Sequence, residues 1–376
     1  MLTFELLKES NEKKGCEQSR ARLGTITTDH GVIQTPIFMP VGTLGSVKGV
    51  SVEDLDHCRA QIILGNTYHL YLRPGCEVIE HMEGLHEFIR WDKPLLTDSG
   101  GFQFFSLAKF AKFTDEGVSF QSHIDGSRHF FSPEKAVEIQ MILGSDIMMS
   151  LDWCIGHPAS EKQTRQALDK TSMWAKRGFD FWQTKGSVNN LFGIVQGGMV
   201  KHLRSLSADQ LTRIDFPGFA IGGLSVGEPK DLMYEMADHT LPLLPVNKPR
   251  YIMGVGTPED LVELVGMGCD MFDCVMPSRN ARNGQLFTSR GTMNISNAKF
   301  RFDKGPIDID CSCYTCQNYS RSYLRHLYKS RELLVYRLNT VHNIYYYLDL
   351  MGKMRDAIKQ DRFLEFKKDF YSKRQN

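Results

Sequence analysis

Met271-Phe272-Asp273-Cys274-Val275-Met276-Pro277 is a short apolar run interrupted by one carboxylate. Seven runs of the same kind precede it: Pro36–Gly42, Gln61–Asn66, Leu95–Gly101, Asp146–Asp152, Leu191–Gly198, Gly218–Leu224 and Tyr251–Gly256. Nearly every run ends in Gly, Asp, Asn or Gln, and stretches with helical character separate most of them. Continuous apolar runs bounded by turn residues are the pattern of strands buried on both faces. Eight of them alternating with helices predict an α/β fold, a closed (β/α)8 TIM barrel with its active site at the C-terminal strand ends. The polar residue closing each run is therefore a candidate for chemistry.

Several intervening helices announce their starts. Ser132-Pro133-Glu134 opens a segment reaching Leu143, with Ser as the cap and Pro at the first helical position. Thr257-Pro258-Glu259 begins Asp260–Met267 in the same way, and Ser160–Trp182 reads as a long charged helix. No helix is expected promptly after the eighth run. Residues 1–290 are assigned to the barrel, 291–346 to an inserted subdomain carrying a cysteine cluster, and 347–376 to a last helix completing the barrel.

At 376 residues the chain exceeds a typical barrel, and its 41% hydrophobic and 24% charged residues suit a large core. Neither a signal peptide nor a bilayer-spanning run is evident, so a cytoplasmic protein with no membrane association is expected. Six scattered cysteines, at 16, 58, 76, 154, 269 and 274, fit a reducing compartment. The net charge of +1 conceals an asymmetry. Residues 279–376 hold 19 Lys/Arg against 9 Asp/Glu, whereas residues 1–278 hold 26 against 35. A basic terminal quarter on an acidic body fits either a polyanionic partner or a solvated lysine-rich helix.

Cys311-x-Cys313-x2-Cys316 places three thiols within six residues, as a closed structural zinc site requires. Spacing alone leaves the fourth ligand open between His326 and His342. Among the run ends, Asp98, Asp152 and Asp273 are three carboxylates expected at one mouth. Two carboxylates facing an anomeric carbon suit glycosyl transfer with retention, one attacking C1′ and one moving the proton. Asp152, Gln196 and the Gly222-Gly223 pair complement a guanine edge, with carboxylate acceptors for N1–H and the 2-amino group and donors for O6. Ser99, Gly100 and Gly101 allow close backbone approach beside them, and Phe102 is available to stack.

The motifs Thr97-Asp98-Ser99-Gly100-Gly101-Phe102-Gln103, Gly193-Ile194-Val195-Gln196-Gly197-Gly198, Ile221-Gly222-Gly223-Leu224, Met253-Gly254-Val255-Gly256 and Phe272-Asp273-Cys274-Val275-Met276-Pro277 occur in order with the cysteine cluster. Together they resemble the tRNA-guanine transglycosylase family, of the bacterial type, over essentially the whole chain. The resemblance implies a homodimeric barrel enzyme with structural zinc on Cys311, Cys313, Cys316 and His342. It implies exchange of guanine at wobble position 34 of GUN-anticodon tRNAs for 7-aminomethyl-7-deazaguanine, through a covalent glycosyl-enzyme. Asp273 would be the nucleophile and Asp98 the proton acceptor and donor. Asp152, Gln196 and Gly223 would read the base between Phe102 and Met253, with the Leu224 carbonyl and Glu228 receiving the aminomethyl cation. Gly254-Val255-Gly256-Thr257-Pro258-Glu259-Asp260 and Ser278-Arg279-Asn280-Ala281-Arg282 would hold the anticodon nucleotides. Trp153, Ser225 and Thr257 depart from the common bacterial pattern, leaving queuine itself as the alternative incoming base. A non-catalytic tRNA-binding partner subunit is the other alternative, and such subunits lack the nucleophile that is present here.

Overall fold

The computed structural model describes residues 2–15, 17–107, 111–186 and 189–374; Cys16 lies outside them. Its centre is a parallel sheet of β1 (Ile37–Met39 with Val41–Gly42), β2 (Ile63–Gly65), β3 (Leu95–Thr97), β4 (Ile147–Met149), β5 (Asn190–Val195), β6 (Gly218–Ile221), β7 (Arg250–Ile252) and β8 (Met271–Asp273). Phe38 pairs with Phe272 and Met39 with Asp273, while Val41 pairs with Leu64, so β1 joins β8 on one side and β2 on the other. The barrel closes through one strand broken at Pro40. Proline has no N–H for the ladder, but its carbonyl still accepts from Leu64 N–H at 3.0 Å.

Successive residues along the strands point to opposite faces. Ile37, Met39, Leu64, Leu96, Ile147, Met149, Phe192, Ile194 and Tyr251 form one buried cluster inside the barrel. Their neighbours Phe38, Ile63, Leu95, Met148, Leu191, Val195 and Phe272 belong to a second cluster shared with the helices. The strands are shorter than the apolar runs because each run also contains the start of its loop. Asp98, Asp152 and Gln196 thus fall just beyond their strands, and only Asp273 ends one.

The caps read from sequence form as expected. Ser132 accepts from Lys135 N–H ahead of helix Pro133–Leu143. Ser160 and Thr257 make reciprocal capping boxes with Gln163 and Asp260. One expectation needs correction: helix Met276–Arg282 follows β8 directly, started by Pro277 in its first turn. After it come the hairpin Gln285–Thr288/Gly291–Asn294, helices Tyr314–Asn318 and Arg321–Lys329, and the long helix Leu333–Lys359. Leu286, Ile295, Phe300, Ile307, Leu324, Leu327, Val335 and Leu338 form a separate small core there. Helix Leu333–Lys359 runs unbroken through position 346, packing on both units.

An antiparallel sheet of Thr3–Glu9, Arg22–Thr28 and Gly31–Thr35 was not anticipated from sequence. It sends Ile26 and Ile33, with Leu2 just ahead of it, into the cluster that fills the barrel, at the N-terminal ends of the barrel strands, where Leu2 N–H donates to Asn190 Oδ1 at 2.8 Å. A buried ion cluster seats it. Arg22 Nε lies 3.3 Å from Asp270 Oδ1, and both side chains are fully buried. Asp270 Oδ2 accepts from Arg250 N–H at 2.8 Å, and Arg22 Nη2 donates to the Val246 carbonyl at 2.9 Å. Breaking a buried pair leaves an uncompensated charge. Asp270→Ala is therefore expected to lower unfolding free energy by about 3–5 kcal/mol, read by urea denaturation; a loss below about 1 kcal/mol would show that Arg22 is stabilised some other way.

Candidate active site

The strand ends converge on a cleft of about 770 Å³. Asp98, Asp152 and Asp273 all line it, with Phe102, Leu224 and Met253 among the apolar wall residues. Asp273 Oδ1 accepts from Tyr251 Oη at 2.5 Å and from Gly254 N–H at 2.7 Å. Both bonds reach the same oxygen, so the second oxygen carries neither. Burial pushes the Asp273 pKa upward, and these two donors oppose the shift. Burial and the Asp273 charge drive the Tyr251 hydroxyl well above its usual range, which keeps it a donor.

Asp98 is held differently. Its Oδ2 accepts from the Asn66 amide and its Oδ1 from Thr67 N–H at 3.0 Å. Burial raises its pKa to about 7, Thr67 N–H opposes that, and the nearby Asp273 and Asp152 charges add to it. A carboxyl at that value is part acid and part base at neutral pH, which suits a group that must both give and take a proton.

Asp152 is also raised by burial. Its Oδ1 accepts from Ser99 Oγ at 3.0 Å, and its Oδ2 from Gln196 Nε2 at 2.7 Å. The glycines beside this pair are spacers. A Cβ on Gly101 would stand 2.1 Å from Asp152 Oδ1, and one on Gly222 2.6 Å from Gln196 Nε2. Gly223 has φ +64°, and its Cβ would stand 2.4 Å from Gln196 Oε1. Gly100, also left-handed at φ +84°, caps helix Gly101–Ser106. Gln196 is 2% exposed and sits behind Asp152, off the cleft wall. Both carboxylate oxygens of Glu228 accept from the loop, from Ser225 N–H and from Val226 N–H at 2.8 Å. Ser225 adopts φ +59°, a left-handed turn next to Leu224. Trp153 stacks on Phe113 at 4.5 Å and forms no part of the cleft wall.

The two segments expected to hold nucleic acid contribute unequally. Gly254, Gly256, Thr257 and Asp260 line the cleft. Val255 and Pro258 are buried, and Glu259 pairs with Arg374. Arg279 lines the cleft from helix Met276–Arg282. Ser278 and Ala281 are buried, Asn280 donates to Gln285 at 2.9 Å, and Arg282 Nη1 donates back to the Ser278 carbonyl.

Three further side chains that shape the cleft do not stand out in the sequence. Tyr251 looked like one more apolar residue of its run. Half-buried His69 lines the cleft beside Asn66. Arg204 is fully buried in helix Lys201–Thr212 and donates to the carbonyls of Gly198, Gly222 and Gly223, fixing the glycine loop. The only sequence signal for Arg204 was a charge on an otherwise apolar helix face.

Cys311, Cys313, Cys316 and His342 bring four ligand atoms within 4.8 Å of one another. His342 Nδ1 lies 3.7, 3.5 and 3.3 Å from the three sulfurs. A tetrahedral ion with zinc-like bond lengths separates nitrogen and sulfur ligands by about 3.6 Å. The four residues fit such an ion. His342 Nε2 donates to the Phe287 carbonyl at 2.8 Å, which leaves the Nδ1 lone pair for the metal. His326 is exposed on helix Arg321–Lys329 and takes no part.

A family model described as queuine tRNA-ribosyltransferase matches residues 16–376. A protein named queuine tRNA-ribosyltransferase from Desulforapulum autotrophicum is 74% identical over 375 residues, covering 100% of both chains. Relatives of the same name from Desulfosudis oleivorans and Caldanaerobacter subterraneus are each 57% identical. The former covers 96% of this chain and 94% of its own, and the latter 95% of each. With three carboxylates at the strand ends of one cleft, a Cys3His cluster and full-length identity of this order, the chain belongs to the queuine tRNA-ribosyltransferase family.

Proposed function

We propose that this cleft exchanges guanine at position 34 of GUN-anticodon tRNAs for 7-aminomethyl-7-deazaguanine. The observation that carries the reading is the pairing of two unlike carboxylates in one mouth. Asp273 is positioned through a single oxygen by Tyr251 and Gly254, and Asp98 is poised near neutrality. The free oxygen of Asp273 forms a bond to ribose C1′ as the C1′–N9 bond breaks. Guanine leaves with the bonding electrons and takes a proton from Asp98. The incoming base then gives its N9 proton to Asp98, its nitrogen bonds to C1′, and the Asp273 ester bond opens. Tyr251 and Gly254 position the nucleophile and hold its charge when it is released. Asp152 accepts from N1–H and the 2-amino group, Gln196 fixes its orientation, and Gly223 supplies a backbone donor to O6. Phe102 and Met253 bracket the ring. Glu228 and the Leu224 carbonyl are the acceptors offered to an aminomethyl cation.

An unstacked wobble nucleotide of the anticodon loop is the form of guanine that reaches such a mouth. Segments Gly254–Asp260 and Ser278–Arg282 are assigned to its flanking nucleotides. Zinc is the metal assigned to Cys311, Cys313, Cys316 and His342, because three thiolates and an imidazole in tetrahedral spacing are its ligands. When bound it supplies structure, since four protein ligands leave no open position. Residues 291–346 are proposed as the zinc-binding subdomain on the strength of their separate core, between the barrel at 1–290 and a closing segment at 347–376. That segment is not the one helix expected but the end of helix Leu333–Lys359 followed by a separate helix, Phe363–Arg374. A homodimer is proposed on exposed apolar side chains of this region, Tyr314 and Tyr323 packed on either side of half-buried Tyr319, and Leu333, which is 83% exposed. The proposed place of action is the cytoplasm; among the described residues no helix is long and apolar enough to cross a membrane.

Three outcomes test this reading. With labelled guanine already at position 34, 7-aminomethyl-7-deazaguanine should displace the label, and Asp273→Ala should lower that exchange at least about 10³-fold while tRNA binding survives. Displacement only by queuine would reassign the incoming base, and near wild-type exchange in the variant would remove Asp273 from its role. Single-turnover guanine release should fall as pH rises through about 7, because the acid form of Asp98 is lost there. Rates that stay level from about pH 6 to about 9 would place the proton elsewhere. Cys313→Ala should lose bound zinc by elemental analysis and lower the thermal midpoint by several degrees, roughly the effect of weakening a structural site; full occupancy would contradict the ligand set.

A further inference from the structure

Among the described residues, the cleft wall holds five carboxylates, on Asp98, Asp152, Glu228, Asp260 and Asp273. Only two lining side chains carry a lasting positive charge, Lys230 and Arg279. An RNA backbone brings a further negative charge with each phosphate, so these two cations are the counter-charge the cleft wall itself offers. Arg279 belongs to a segment already assigned to nucleic acid. Lys230 belongs to neither segment.

Lys230 is the first residue of helix Lys230–Thr240, after Pro229. Its ammonium crosses to the next strand-end loop, donating to Thr257 Oγ1 at 3.0 Å and Asp260 Oδ1 at 2.8 Å. The side chain is 55% exposed while its Asp260 partner is 6% exposed. Asp260 does not depend on the lysine for its bonds. It also accepts from Tyr234 Oη at 2.7 Å and from Thr257 N–H at 3.0 Å. An ammonium has three protons, and the described bonds use two of them. A half-exposed cation with a donor to spare, pinned beside Gly254–Asp260, is built to face an anion at the mouth. Pinning matters, because a lysine already ordered by Thr257 and Asp260 loses less side-chain entropy when it engages.

We infer that Lys230 is a backbone-phosphate contact for the bound RNA, supplying charge to a loop whose own residues, Gly254 to Asp260, include no Lys or Arg. The inference rests on the tRNA-exchange reading above. The Lys230–Asp260 pair is retained on binding, and the third proton of the ammonium goes to a phosphate oxygen. Phosphate contacts position a nucleic acid without reading its sequence. The effect of Lys230 should therefore be the same for every GUN-anticodon tRNA.

The test is the salt dependence of tRNA binding by the full chain. For Lys230→Met, the slope of log Kd against log salt should shrink by about 0.7 to 0.9, the value of one phosphate contact. Affinity at low salt should fall about tenfold, and Lys230→Arg should restore the slope. Lys201→Met is the control, since Lys201 pairs with Glu235 and does not line the cleft. An unchanged slope in Lys230→Met overturns the inference, even if its thermal midpoint drops through loss of the Asp260 bond. An equal slope change in Lys201→Met also overturns it, by showing a long-range charge effect in place of a contact. If the unaltered protein exchanges guanine while the Lys230→Met slope stays put, only this inference fails. If the unaltered protein binds no tRNA, the exchange reading fails with it.

Discussion

Three carboxylates at one mouth, Asp152 buried and Asp98 and Asp273 half-buried, with no ion pair to any of them among the described residues, are the constraint around which the barrel is arranged. Burial without a counter-charge disfavours the ionised form, and the pKa values of Asp98, Asp152 and Asp273 all rise accordingly. The fold compensates with neutral donors. Tyr251 and Gly254 serve Asp273, Asn66 and Thr67 serve Asp98, and Ser99 and Gln196 serve Asp152. Each donor stands on, or just after, a strand neighbouring that of the carboxylate it serves, so the barrel must close in register for any carboxylate to be tolerated. A cation in this position would lower the carboxylate pKa values and tie up the oxygens that chemistry needs.

Helix Leu333–Lys359 ties that mouth to the metal cluster. His342 belongs to the Cys3His set and bonds to the Phe287 carbonyl. One residue on, the Asn343 amide donates to the carbonyls of Pro277 and Gln285, while its oxygen accepts from Phe287 N–H. One turn further, Tyr347 Oη donates to the Gly256 carbonyl at 2.7 Å. The loops after β7 and β8 are thus fastened to a single buried helix. Its polar side chains find backbone partners where an apolar helix would only fill space.

The barrel was legible because strands buried on both faces have a distinctive composition, and Asp98, Asp152 and Asp273 stood out as carboxylates within or at the end of apolar runs. Loop starts were not separable from strands, since Met253, Val255 and Val275 are as apolar as the strand residues before them. The N-terminal sheet escaped notice because Thr3–Glu9 alternates exposed and half-buried positions with charged residues on the open face. Helix Met276–Arg282 was missed because one short turn opening on Pro277 resembles a loop. Tyr251 leaves no signal in the sequence, and Arg204 leaves only a charge on an otherwise apolar helix face. One hides among apolar neighbours, and the other acts through backbone carbonyls that only the folded chain brings near. His342 and His326 were indistinguishable by spacing, and burial separates them at once.

The sheet beneath the barrel has a bearing on traffic through the enzyme. Leu2, Ile26 and Ile33 fill the lower opening, and the interior above them is packed with side chains. A single door therefore serves everything that enters or leaves. In a base exchange, the departing purine must exit past the same nucleic acid whose sugar it has just left. The ester proposed for Asp273 would then act as a tether, letting the RNA lift enough for one base to pass another without drifting away.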